Sequence, residues 1–317
     1  MERTMYYGKG DVWVYRTYAA PLQGVRKIPE SAFTGRSNII FGMNIKVAVE
    51  GEEFLPSYTE GDNTKLIATD SMKNFILRHA GQYDGSTLEG FLEFVSCRFL
   101  KTYSQMKGIR ISGQQIPFDE LPVLNEKDPV PSSLVFRYSL NEQACAAMEV
   151  KRLKNELAII DHSSSIKGLK LIKVRGSSFV GYVKDDYTTL PEAYDRPLYI
   201  FLDISWVYEK VDDASGEKPE QYVAAEQIRD IAYTVFHEQN SPSIQNLIYH
   251  IGLRILERFP QLKEVYFESN NRTWETVLDD IPVSTKGKVF TEPRPPYGFQ
   301  GFSMTKKDLE NKGEIEK

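Results

Sequence analysis

Two stretches of this chain place a large apolar residue at every second position without a break. Phe41, Met43, Ile45, Val47 and Val49 share one phase of the first, and Leu198, Ile200, Leu202, Ile204 and Trp206 share one phase of the second. A period of two places each set on one face of a strand, so each run must bury one face of a sheet. Each run is followed by two helical patterns. The first pair begins at Thr69, Asp70 or Ser71, any of which can cap, and Gly81 is expected to end that helix in a left-handed conformation. Its second helix opens with Ser86 and Glu89 at capping-box spacing and carries a stripe of Leu88, Phe91, Leu92, Val95 and Phe99. After the second run, Ile228, Ile231, Ala232 and Val235 form one stripe. Ser241 as cap and Pro242 at the first helical position then open another, which runs from Ile244 to Phe259 and is stopped by Pro260.

Further strand signals complete each unit. In the first half they are Tyr7 to Tyr18, Ile109 to Phe118 and Ser133 to Val150, the last two separated by a proline-bearing loop over 119–132. In the second half they are Leu157 to Ile160, Leu169 to Val174, Lys263 to Glu268 and Gly298 to Met304. The order β-β-α-α-β-β therefore occurs twice without obvious identity between the copies. The expected class is α+β, with a first half over 1–150, a second over 151–304 and a flexible charged tail over 305–317. Each half should form an antiparallel sheet with two helices on one face. The strands at Val12 and Phe136 look apolar on both faces, so something must cover the other side. Closing such sheets into a barrel with other subunits would also remove their edges, which predicts an obligate homo-oligomer.

Composition excludes several functions. A net charge of −5 gives no global field for nucleic acid, and no apolar run reaches the length of a membrane span. The N-terminal residues lack the apolar core of a secretory signal, so the expected setting is cytoplasmic. Cys97 and Cys145 have no CxxC spacing, and His79, His162, His237 and His250 are scattered. Neither a metal site nor a dinucleotide or P-loop motif is legible, so no metal and no cofactor is expected.

One stretch carries a chemical suggestion of its own. Between Gly176 and Arg196 lie Phe179, Tyr182, Tyr187 and Leu190, with Arg196 just before Pro197. A ring face and a guanidinium fork can together hold a flat anionic heterocycle, one by stacking and the other through paired in-plane acceptors. The same spacing also suits a core phenylalanine and a surface arginine. Three other stretches bear on the choice: YGKGDV at 7–12, ATDSMKN at 68–74 and NSPSIQ at 240–245.

In this order and at these separations, the four stretches resemble urate oxidase, the uricase family, in its bacterial type. The resemblance covers about Tyr7 to Met304. It implies the tunnelling fold (T-fold), in which dimers close a sixteen-strand barrel and two barrels stack as a homotetramer, with active sites at subunit interfaces. It also implies cofactor-free oxidation of urate by dioxygen and water to 5-hydroxyisourate and hydrogen peroxide. By this resemblance Phe179 stacks on the purine, Arg196 and Gln245 grip it in plane, and Ile244 offers its backbone N–H. Lys9 and Thr69 move protons, with Thr69 and Asp70 reaching in from the neighbouring subunit, and Asn271 holds dioxygen or water above the ring.

The bland readings of the same residues are a surface lysine at Lys9, a helix cap at Thr69, a core Ile244 and a solvated Gln245. Another T-fold purine or pterin enzyme, or a noncatalytic purine-binding oligomer, remains the alternative. The chain departs from the family where many members carry a histidine two positions beyond the asparagine, since Thr273 stands there. Either Thr273 with ordered water substitutes as a relay, or Lys9 and Thr69 suffice. A threonine does not titrate near neutral pH, so the activity profile against pH should lack a histidine limb. Replacing each of the four histidines singly by asparagine should leave that profile unchanged.

Overall fold

A computed structural model of the chain describes residues 4–125, 128–138, 142–154, 156–272, 276–278, 281–282, 289–290 and 296–315. The first alternating run forms β2 (Ile40–Glu50), which pairs with β1 (Tyr6–Thr17). Helices α1 (Thr69–Ala80) and α2 (Leu88–Thr102) follow, then β3 (Gly108–Ile116) and β4 (Gln143–Leu153). The second half gives β5 (Glu156–Lys173), β6 (Leu198–Tyr208), α3 (Ala225–Glu238), α4 (Ile244–Arg258), β7 (Leu262–Arg272) and β8 (Gly298–Thr305). Where two sheets were expected, one eight-stranded antiparallel sheet forms, with strands in the sequential order β1 to β8. The halves join because β4 pairs along its whole length with β5, from Gln143 opposite Lys167 to Leu153 opposite Glu156.

The alternation is realised as read. Phe41, Met43, Ile45, Val47 and Val49 are buried under α1 and α2, and Leu198 through Tyr208 bury every second residue under α3 and α4. Each half thus has its own apolar cluster, and all four helices lie on one face. The other face carries Asn44, Lys46, Ser112, Gln114, Ser163, Ser165 and Ser205 around a polar hollow of about 510 Å³. On β1, Val12 and Val14 point to the helices while Trp13 and Tyr15 stay 48% and 59% exposed on the open face.

Several local expectations are corrected. Phe136 belongs not to the main sheet but to a separate hairpin of Phe118–Asn125 and Asp128–Tyr138, which replaces the loop expected at 119–132. Gly81 is right-handed, with φ −70°, and Gln82 and Tyr83 close the turn by donating to the His79 carbonyl. Thr87 rather than Ser86 caps α2, accepting from the Gly90 N–H. The tail expected to be flexible forms a helix, α5 (Lys306–Ile315). Asp308 accepts the Thr305 N–H at 2.8 Å and Leu309 packs on the second-half cluster, so one cap and one anchor suffice without periodicity.

The halves are also locked by buried polar groups. The connection between β1 and β2 lies on the second half's helices, where Glu30 accepts from Arg254 and Arg258 and Arg36 forms a two-pronged pair with Glu226 at 2.7 Å. Burial opposes the Glu30 charge, yet hydrogen bonds from Arg258 and Arg254 outweigh it and hold its pKa at about 2. Glu89 of α2 is buried at the seam, accepting from Ser164 at 2.6 Å and Tyr222 at 3.3 Å. Burial raises its pKa against these hydrogen bonds.

The two carboxyls therefore respond to pH with opposite signs. Glu30 stabilises the fold above the ordinary glutamate range and loses that contribution as pH falls toward 2. Glu30→Gln should cost roughly 2 to 3 kcal/mol in urea unfolding at pH 7, and almost nothing near pH 2. Glu89 contributes fully in acid and loses its contribution as pH rises through its elevated pKa. Glu89→Gln keeps the hydrogen bonds without the charge, so its stability relative to the parent should grow as pH rises from 4 to 8.

Candidate functional site

The stretch from Gly176 to Arg196 folds back on itself. Phe179 and Ala193 exchange backbone hydrogen bonds at 2.7 and 3.1 Å, and the Arg196 N–H donates to the Ser177 carbonyl at 2.8 Å. Gly176 adopts φ +81°, the left-handed region that glycine tolerates without strain, and its N–H donates to Asp195 at 2.6 Å. The folded loop is stitched to the segment that opens α4. Ser178 donates to the Ser241 carbonyl and Ser241 to the Gly176 carbonyl, with both Ser177 and Ser241 buried. Phe179, Arg196, Ile244 and Gln245 are thereby brought to one place by backbone pairing.

Within that group the Arg196 guanidinium lies 5.4 Å from the centre of the Phe179 ring, and Tyr182 stacks on the same ring at 4.9 Å with planes 14° apart. The Arg196 Nε is buried and has no hydrogen-bond partner among the described residues, and burial depresses the guanidinium's pKa. Arginine keeps its proton regardless, so a desolvated cation with an unsatisfied donor calls for an anionic acceptor. Of the original aromatic framework, Tyr187 is 91% exposed and Leu190 is exposed too, so neither contributes.

Helix α4 starts two residues later than expected. Ser243 caps it, accepting from the Asn246 N–H, and Ser241 serves the loop instead. This shift puts Ile244 and Gln245 in the first turn, where backbone N–H groups have no intrahelical partner. Ile244 has a buried side chain and Gln245 is exposed. Asn271 lies near the end of β7, opposite Gly298 of β8. A side chain at Gly298 would begin 3.2 Å from the Asn271 Oδ1, so glycine leaves the amide its room. Thr273 lies outside the described residues.

The proposed proton-handling residues sit at the other end of the sheet. Lys9 is half-buried on β1, and Gly8 before it allows close approach, since a Cβ there would fall 1.9 Å from the Val47 carbonyl oxygen. Gly10 is under no such constraint. Thr69 is the first residue of α1, not its cap; Ala68 holds that place and no side chain caps the helix. The threonine hydroxyl has no partner among the described residues, so it is available. The Tyr7 hydroxyl accepts the Ile67 N–H at 2.8 Å and so fixes the entry of α1 beside β1. A hydrogen bond from Lys73 and its charge hold the Asp70 carboxyl below its usual range, and the Lys9 charge adds to this.

Lys9, Thr69 and Asp70 thus lie together on β1 and the start of α1, and Phe179, Arg196, Ile244 and Gln245 at the junction of the loop with α4, while Asn271 lies on β7, opposite Ile200 of β6. Six strand spacings separate β1 from β7, roughly 29 Å along the sheet. Neither group lines the polar hollow or a second cavity of about 1050 Å³ among Arg36, Glu142, Glu226 and Arg229. Among the described residues, no three His, Cys, Asp or Glu side chains cluster as metal ligands would, and no helix is long and apolar enough to cross a membrane. Of the loop's supports, Ser241 reads in the sequence as a helix cap, and Ser177 and Asp195 were missed because their partners are backbone groups distant in sequence.

Known proteins resemble the chain along nearly its whole length. The family model described as Uricase matches residues 5–143 and 162–300. A uricase of Haloferax volcanii is 58% identical over 308 residues, covering 96% of this chain and 99% of that protein. The uric acid degradation bifunctional protein PucL of Bacillus subtilis is 56% identical over 310 residues, and the chain spans 63% of its length. The crystal structure of a uricase from Bacillus fastidious superposes with a TM-score of 0.96 at 57% identity, covering 99% of this chain and 97% of that one. With the family model matching both halves and relatives of this identity over nearly every residue, the chain belongs to the uricase family.

Proposed function

We propose that this chain is a cytoplasmic urate oxidase, converting urate, dioxygen and water to 5-hydroxyisourate and hydrogen peroxide without a cofactor. The observation that carries the reading is the buried, unpartnered Arg196 Nε beside the Phe179 ring, at the first turn of α4. Urate supplies what that place lacks: a flat π-system for Phe179, and an anion with in-plane oxygens and nitrogens for Arg196, Gln245 and the Ile244 N–H. Family membership supports the same substrate.

In this reading the two half-sites meet between subunits. β1 and β8 are the free edges of the sheet, and edge-to-edge pairing of two chains would set Lys9, Thr69 and Asp70 of one beside Asn271 and Gln245 of the other. Two such sheets close a barrel with no free edge, and stacking two barrels gives a tetramer. The polar open face then lines the barrel. Urate reduces dioxygen directly once it has lost a proton. Lys9 takes that proton, the uncommitted Thr69 hydroxyl passes it on, and Asn271 holds dioxygen or water over the ring, with Thr273 as the further relay group.

The primary test adds urate to purified, metal-free protein under air and follows urate loss, oxygen uptake and peroxide together. All three should proceed in equal amounts, and no turnover would sink the reading. Arg196→Gln should lower kcat/KM by roughly 10- to 100-fold, mainly through KM, because a charged hydrogen bond contributes about 1.5 to 3 kcal/mol. Lys9→Met should instead lower kcat by roughly 100-fold or more while urate still binds. Mixing the Arg196→Gln and Lys9→Met proteins after dissociation should restore part of the activity if each site draws on two chains. A noncatalytic purine-binding oligomer would show binding without oxygen uptake.

A further inference from the structure

We propose that Lys173 is a positioning residue for urate binding, acting through the segment 239–243; this rests on the proposed function. Lys173 is the last residue of β5, and its ammonium forms no salt bridge among the described residues. It donates instead to three backbone carbonyls, those of Phe236 at 2.9 Å, His237 at 3.4 Å and Gln239 at 2.5 Å. It also lies 5.6 Å from the centre of the Phe236 ring. These carbonyls belong to the C-terminal end of α3, where the last turn has no intrahelical donors and the helix dipole favours a cation. The cation comes from the sheet rather than from the helix itself, so it acts as a cross-link. Burial pushes its pKa down, the cost that these three carbonyls offset.

What the cross-link holds is the base of the substrate-binding group. Two residues past Gln239, Ser241 exchanges backbone hydrogen bonds with Gly176 and Ser178, and Ser243 then caps the helix that carries Ile244 and Gln245. Three residues past Lys173, Gly176 begins the loop that carries Phe179 and Arg196, and a Cβ on Gly176 would lie 3.2 Å from the Lys173 Cε. One ammonium therefore fixes both strands of the junction on which the stacking ring, the guanidinium and the amide depend. It touches no substrate.

The test compares steady-state kinetics of Lys173→Met and Lys173→Gln with the parent and with Lys170→Met, a lysine of the same strand that lies over Phe201. Lys173→Met keeps the apolar stem and removes the donors. Its KM for urate should rise about tenfold, the effect of one displaced hydrogen bond at the site, with kcat within about twofold. Lys173→Gln, which retains two donors, should fall between Met and the parent, and Lys170→Met should match the parent. Combining Lys173→Met with Gln245→Ala should raise KM by less than the product of the single effects, because both act on the same contact. A folded Lys173→Met protein with unchanged KM overturns the proposal, as does a loss confined to thermal stability. If Lys173→Met does not fold, an unchanged KM in Lys173→Gln overturns it equally. Failure of the parent to oxidise urate would fall on the proposed function; normal turnover by the parent with unmoved variants would fall on Lys173 alone.

Discussion

Everything in this molecule depends on one pairing, that of β4 with β5. It joins two α+β units into a single sheet and places the helices of both on one face. An open sheet of eight strands buries only half of its surface under its own helices. It also ends in two rows of unpaired backbone donors and acceptors, which proteins rarely leave bare. The open face here is polar at its centre and aromatic on β1, as suits the inside of a closed barrel better than a core. The same pairing sets the distance between the proposed half-sites, because it puts β1 and β8 at opposite ends. In the proposed assembly, closure of the barrel and completion of the site are one event.

The two proposed half-sites are built on different principles. Around Arg196, buried serines, backbone pairing and a cross-linking lysine hold a guanidinium whose Nε has no hydrogen-bond partner among the described residues. Such an arrangement meets the cost of desolvating a cation in advance, so an anion arriving there gains the whole hydrogen bond. Around Lys9 the opposite holds: Thr69 and Asp70 occupy the exposed start of a helix, and Asp70 is engaged with Lys73 and Asn74. That group is well placed to exchange protons with water and poorly placed to bind a ligand by itself. Binding on one side and proton transfer on the other is a division that an interface can bring together.

The fold was largely legible because its signals are periodic. Alternation in β2 and β6 and the stripes of α2, α3 and α4 each repeat several times, so single exceptions do not erase them. What failed were signals resting on one residue. Thr69, Asp70 and Ser71 are all competent caps, yet Ala68 takes the position because the Tyr7 hydroxyl fixes the preceding turn. Ser241 and Ser243 are chemically alike, and only the pairing of Ser241 with Gly176 decides which one caps α4. The hairpin of Phe118–Asn125 and Asp128–Tyr138 was hidden by its prolines, but Pro122 and Pro131 are register partners in a two-stranded ribbon, where a backbone nitrogen on the outer edge needs no ladder partner.

The candidate site was legible in part for a related reason. Phe179, Arg196 and Gln245 have side chains whose chemistry names a ligand, so a sequence can suggest them. Their supports act on backbone groups, and a serine, a glycine or a lysine in that role looks like any other. Lys173 shows the difference most clearly. By composition it is a charged residue at a strand end, where a solvated lysine is the ordinary expectation. Only in the fold does its ammonium meet the uncapped carbonyls of α3, three residues before the loop begins and two before Ser241. The information that makes it specific lies in the packing of α3 against β5, two elements some sixty residues apart, and no local pattern in either one carries it.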